Sequence, residues 1–214
     1  MYHKNDFLQK LQRKFGKFAI KNLMMYIVAG MAILFVADMV FPDNIAAMFA
    51  FNTDLIMQGE VWRIITFIII PPNAGIIFII FALYINWFIG SSLEGQWGAF
   101  RFNAFYLCGI VGTIIAGMIT GFATNFYLNL SLFFAFAMLF PNFQLRLFFI
   151  LPIKIKWLAL LNLAFFVFEF AINDWSVRVA LLVSLINIVL FFGKDFIIGI
   201  KNKHRQMQWK RGNR

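Results

Sequence analysis

Long stretches without charge, broken by prolines, glycines and short polar connections, divide the chain into six apolar segments. The first covers residues 23–41 and stops at Pro42. No charged residue occurs between Arg63 and Glu94; Pro71, Pro72, Asn73 and Gly75 split that run into a short apolar connection and a second segment, residues 74–91. The run between Arg101 and Arg146 is also uncharged and long enough for two helices, predicted over 102–121 and 125–140. Pro141 closes the second of these, because proline cannot continue a hydrogen-bonded helical turn. A fifth segment, 157–172, follows the Pro152-Ile153-Lys154-Ile155-Lys156 connection, and a sixth covers 176–192 before a basic tail. An uncharged apolar run of about 20 residues is the length a helix needs to cross a bilayer.

Composition turns this pattern into a statement about solvent. Hydrophobic residues make up 62% of the chain and charged residues only 13%, with 30 phenylalanines. A soluble domain carries about 25% charged residues, and no soluble fold of this size hides so much apolar surface. The outward side chains must therefore meet the lipid bilayer. The length suits one membrane domain, residues 23–193, between a basic N-terminal segment, 1–22, and a basic tail, 194–214. The first apolar segment is too long for a signal-peptide core and has no small-residue cleavage pattern, so it is expected to stay as a helix.

The net charge of +10 reports orientation rather than nucleic acid, which is not expected as a partner. Seventeen of the nineteen Lys and Arg residues fall on one side of a six-helix map; only Arg63 and Arg178 fall on the other. The excess marks the cytoplasmic side. The expected fold is thus an all-α membrane protein of six transmembrane helices with both termini in the cytoplasm, and a bacterial plasma membrane is the expected location.

Few residues in this map can do chemistry. His3 and His204 lie in the terminal segments, and the lysines lie at or beyond the inner helix ends. A serine nucleophile needs a nearby base, so Ser131 and the other four serines have none within the membrane. Clustered His and Cys ligands are also missing, so neither metal nor other cofactor is expected. Cys108 reads as a small buried packing residue. Asp38 and Glu169, near outer helix ends, are expected to pair with Arg63 or Arg178, with a solute or proton role as the alternative; for Arg63 the expected partners also include backbone carbonyls of the loop and an outer-face acid such as Glu60 or Glu169. Asn125 and Asn129 fall on one helical face and can hydrogen-bond across to a neighbour. The Gly117-x-x-x-Gly121 spacing permits close helix approach.

Three stretches resemble a known family. Gly59-Glu60-Val61-Trp62-Arg63-Ile64-Ile65-Thr66 is similar to the Trp-Arg motif in the first loop of rhomboids and derlins. Gly90-Ser91-Ser92-Leu93-Glu94, with Gly98, Arg101-Phe102 and Tyr106-Leu107, resembles the rhomboid passage from the second helix to the third, and Leu139-Phe140-Pro141-Asn142 resembles the end of the fourth. The similarity covers about residues 62–156. It implies a rhomboid-like bundle in which Trp62, Arg63, Gly90, Glu94 and Gly98 are structural. The family's catalytic serine would fall at Phe126, its helix-2 His and Asn near Phe78 and Ala82, and its helix-6 histidine has no counterpart. The resemblance therefore implies a pseudoprotease that binds transmembrane segments of client proteins at Asn125, Phe126, Asn129 and Ser131. A solute transporter or its substrate-binding subunit is the main rival, and an active intramembrane protease the lesser one.

Overall fold

A computed structural model of the protein describes residues 6–41, 44–147 and 151–191. Four helices in it are long and apolar enough to cross a membrane: α2, Leu23–Val40; α6, Ile76–Trp97; α7, Ala99–Thr120; and α9, Ile155–Ile172. Two shorter apolar helices accompany them, α8, Asn125–Leu139, and α10, Trp175–Phe191. Each of the six apolar segments has thus formed a helix. A short amphipathic helix, α1, Asp6–Phe15, precedes them. Three small helices lie in the first connection: α3, Ile45–Phe49; α4, Thr53–Met57; and α5, Arg63–Thr66, which runs into a 3-10 turn over Phe67–Ile69.

The boundaries follow local chemistry. Asn22 begins α2 from the left-handed region (φ 56°), which Asn tolerates better than most residues, and its N–H donates to Glu94 Oε1 at 2.7 Å. Gly98 alone separates α6 from α7 at φ 81°, ψ 155°, a backbone state open essentially to glycine. Helix α6 accordingly runs six residues past the expected end at Ser91, and Arg101 lies within α7 rather than in a connection. Gly121 stops α7 at φ 80°, the left-handed C-terminal cap that glycine favours.

The main departure from an all-helical fold is a hairpin. Strands β1, Gln144–Leu147, and β2, Leu151–Lys154, pair antiparallel with Gln144 opposite Lys154 and Leu147 opposite Leu151. The alternation Gln144-Leu145-Arg146-Leu147 has the period of a strand, but it is only four residues long and faces Pro152.

Packing is by small residues and rings. A Cβ added at Gly90 would lie 2.5 Å from Met24 Cβ, so α6 meets α2 with no room for a side chain. On α7, Gly109 and Gly112 give space to Asn187 and Val183 of α10. The core includes Met24, Phe67, Leu93, Phe102, Phe105 and Phe136, drawn from α2, the first connection, α6, α7 and α8. Helix α9 stands at the side. It packs on α8 and β2 but forms no comparable seam with α6. Cys108, expected to be buried, is exposed on α7; the tight α7 contacts fall instead on Gly109 and Gly112, and Cys108 points away from them.

Candidate functional site

The first connection is built around one buried cation. Arg63 keeps only 6% of its surface exposed. Its Nε donates to Glu60 Oε2 at 2.6 Å, and Nη1 donates to the carbonyls of Ala47 and Ala50 at 2.7 and 2.8 Å. Trp62 Nε1 donates to the Met48 carbonyl at 3.4 Å and Thr66 Oγ1 to the Phe49 carbonyl at 2.9 Å. Four consecutive carbonyls, residues 47–50, are thus capped by three side chains of one helical face. The end of α3 leaves the Met48 and Phe49 carbonyls without intrahelical donors, while the Ala47 carbonyl also accepts from the Ala50 N–H at 3.3 Å. At the other end of α3, Asp38 Oδ1 accepts from the Ala46 N–H at 3.0 Å.

This arrangement corrects the expected acid–base pairing. Asp38 caps a backbone N–H instead of meeting Arg63 or Arg178. Glu169 accepts from the Tyr127 hydroxyl at 3.3 Å. Arg178 donates to the Ala171 carbonyl at 3.1 Å and lies 6.0 Å from the Phe170 ring centroid. Among the described residues the only ion pair is Arg63 with Glu60; Arg63 takes the loop carbonyls and the near acid that were among its expected partners, and leaves the distant carboxylates Asp38 and Glu169 to other donors.

The outer end of α8 meets the same connection. Thr124 Oγ1 accepts from the Phe126 N–H at 3.3 Å and caps the helix. Asn125 Nδ2 donates to the carbonyls of Ile68 and Ile70, both at 2.8 Å, tying α8 to the 3-10 turn. Asn125 therefore bonds a loop and not a neighbouring helix. Phe126, one residue on, is exposed. Asn129 Oδ1 is buried and has no hydrogen-bond partner among the described residues. Ser131 is fully buried and donates to the Leu128 carbonyl of its own helix at 2.7 Å.

The remaining motif residues are architectural. Gly90 admits Met24, Glu94 holds the start of α2, and Gly98 links α6 to α7. Below Asn125, the seam between α8, α9 and α10 is apolar, with Tyr127, Phe166, Ala180 and Leu181 buried together. Ser184 of α10 donates to the Leu181 carbonyl at 2.8 Å. No three His, Cys, Asp or Glu side chains approach closely enough to hold a metal among the described residues. His3 and His204 lie outside the described residues, as does the basic tail.

Sequence reasoning missed Thr66 and the Tyr127–Glu169 contact. Thr66 was recoverable, since Trp62, Arg63 and Thr66 share one face of a helix at spacings of three and four. The Tyr127–Glu169 contact joins positions 42 apart and leaves no periodic trace. Compared with protein-family models, with curated proteins and with solved structures, the chain has no match.

Proposed function

We propose that the protein is a six-span, rhomboid-like pseudoprotease, with both termini in the cytoplasm, that binds transmembrane segments of client membrane proteins without cleaving them. The observation that carries the reading is the outer end of α8. There Phe126 faces outward, and one turn below it the Asn129 carbonyl is buried without a donor. Buried polar atoms are normally partnered. Asn129 as a residue is partly exposed, and a client helix carrying a hydroxyl, amide or amine, which has few partners in lipid, would find one there if the side chain turned outward.

Two further features support access from the membrane. Helix α9 leaves most of its length exposed, with only Ile155 and Phe166 buried. Between α6 and the hairpin lies a cavity of about 350 Å³ lined by Phe81, Tyr84, Ile85, Phe88, Phe143 and Gln144. A lateral opening on the α6 side of α8 is the route by which a client would approach. The absence of bond-breaking chemistry is supported by Ser131, whose hydroxyl is spent on its own helix, and by the lack of any histidine or lysine in α8 or α10.

Six spans require that α8 and α10 cross. Their 15 and 17 residues reach about 22 and 25 Å at 1.5 Å per residue, short of a hydrocarbon core about 30 Å thick. A short helix leaves its outer end within the membrane, where the Asn129 amide is of most use to a client; Asn125 is engaged by the Ile68 and Ile70 carbonyls.

The test is photocrosslinking in native membranes from benzoylphenylalanine placed at Phe126, Asn129 or Trp87. Adducts with single-pass or misassembled membrane proteins are expected. Adducts confined to the chain itself, together with a co-purified small solute, would overturn the reading in favour of a transporter. Labelling of Ser131 by a fluorophosphonate would overturn it in favour of a protease.

A further inference from the structure

A second cavity, of about 520 Å³, has no wall residue from α8. Its walls come from the N-terminal segment (Phe15, Phe18), the start of α2 (Leu23), the first connection (Ile69) and α7 (Asn103, Tyr106). The lining is almost wholly apolar, and the polar atoms of two wall residues, Tyr106 Oη and Asn103 Oδ1, are buried away from it. An apolar slot of this size suits a hydrocarbon chain as its ligand.

Charge fixes the polarity of that ligand. Lys14 Nζ sits 5.5 Å from the centroid of Phe15, and Lys17 Nζ sits 5.4 Å from that of Phe18. Both rings line the cavity, so each ammonium group lies within one ring of its wall. Lys21 and Arg101 flank the wall residues Leu23 and Phe100. The carboxylate at this end of the bundle, Glu94, is engaged by the Asn22 N–H.

Depth fixes its length. From Phe100 to Ile110 the cavity follows ten residues of α7, about 15 Å at 1.5 Å per residue, which is half of a hydrocarbon core about 30 Å thick. A client helix would need the full thickness. One acyl chain needs one leaflet.

We infer that this cavity is a binding site for an anionic glycerophospholipid. The phosphate lies against Lys14 and Lys17. One acyl chain runs between the N-terminal segment and α7 as far as Ile110. Bound this way, the lipid fastens the amphipathic helix α1 to the bundle. A basic amphipathic helix in the interface plane is drawn to anionic headgroups, and here the lipid is held by protein on both sides.

The experiment is native mass spectrometry of the full-length protein in detergent, titrated in parallel with dioleoyl phosphatidylglycerol and dioleoyl phosphatidylcholine. One phosphatidylglycerol should be retained in preference to phosphatidylcholine. Replacing Lys14 and Lys17 together by Ala should weaken retention about 25-fold, at about fivefold for each lysine near a headgroup. The control Lys154→Ala with Lys156→Ala removes the same charge at the hairpin and should leave retention unchanged. Ala104→Trp fills the cavity and should abolish retention, with circular dichroism reporting the fold. Equal retention of the two lipids, or equal loss in the two lysine pairs, would overturn the proposal. So would retention that survives in a folded Ala104→Trp protein, or a photocrosslink from position 104 to a protein segment instead of lipid.

Discussion

Arg63 does for the first connection what a hydrophobic core does for a domain: several backbone segments are ordered because they converge on it. Replacing it by Ala leaves the Ala50 carbonyl and the Glu60 carboxylate without their donor and the Ala47 carbonyl with only the Ala50 N–H, a loss of about 2–4 kcal/mol for a buried charged group. Thermal unfolding in detergent should therefore fall well below wild type for Arg63→Ala, and less far for Arg63→Lys, which keeps the charge but not the fork. Arg101→Ala serves as the reference, and an equal effect there would mean that the clamp contributes nothing. Asn125 and Asn129 offer a sharper contrast. Asn125→Leu strips the donor from the Ile68 and Ile70 carbonyls and should cost about 2 kcal/mol, whereas Asn129→Leu removes an unpartnered oxygen and should be neutral or stabilising. Equal melting temperatures for the two variants would refute this assignment. The Arg63 partners were legible in the sequence as loop carbonyls or Glu60, because a lone outer cation next to an acid has few other uses. The different fates of Asn125 and Asn129 were not legible, since helical spacing sets them on one face and says nothing of which meets a loop.

Among the elements, the α2–α6 contact is the most exposed to a single change. Gly90→Ala places a methyl on the Met24 side chain near its root, where rotation cannot relieve it. Overpacking of this kind costs about 1–3 kcal/mol, and Met24→Ala in the same chain should restore much of the loss. The measurement is the melting temperature of the two single variants and the double variant; additive losses would show that the helices do not touch there. Helix positions were readable from charge-free length alone, because in lipid a backbone must bond within its own segment. Which glycines pack was not. The Gly117-x-x-x-Gly121 pair looked like one helix-packing motif, but Gly117 admits Phe51 and Ala123 while Gly121 ends the helix at positive φ. The β1–β2 hairpin was hidden for another reason. Its strands are four residues each, and Pro152 argues against a strand except at an edge, which a two-stranded ribbon always provides.

For the whole molecule, orientation rests on the charge count and span number rests on α8. In the proposed topology the basic N-terminal segment and the hairpin bearing Lys154 and Lys156 share one side, which takes an even number of crossings between them. Helices α2, α6 and α7 are long enough for three, and the proposal needs α8, with its 15 residues, as the fourth. Single cysteines in a Cys108→Ser background test this directly. Lys17→Cys and Asn142→Cys should react with a membrane-impermeant maleimide only from the cytoplasmic side. Gln58→Cys, Phe122→Cys and Asp174→Cys should react only from outside; all five positions are exposed. Asn5→Cys and Asn213→Cys extend the test to segments outside the described residues, and both should behave as Lys17→Cys does. The decisive pair is Phe122 and Asn142, which bracket α8. If both label from one side, α8 dips into the membrane without crossing it, the hairpin lies on the outer face, and a client could not reach Asn129 from between α6 and α9. Labelling from opposite sides places Asn125 and Asn129 at membrane depth, where an unpartnered carbonyl has value to a client helix that it would not have in water.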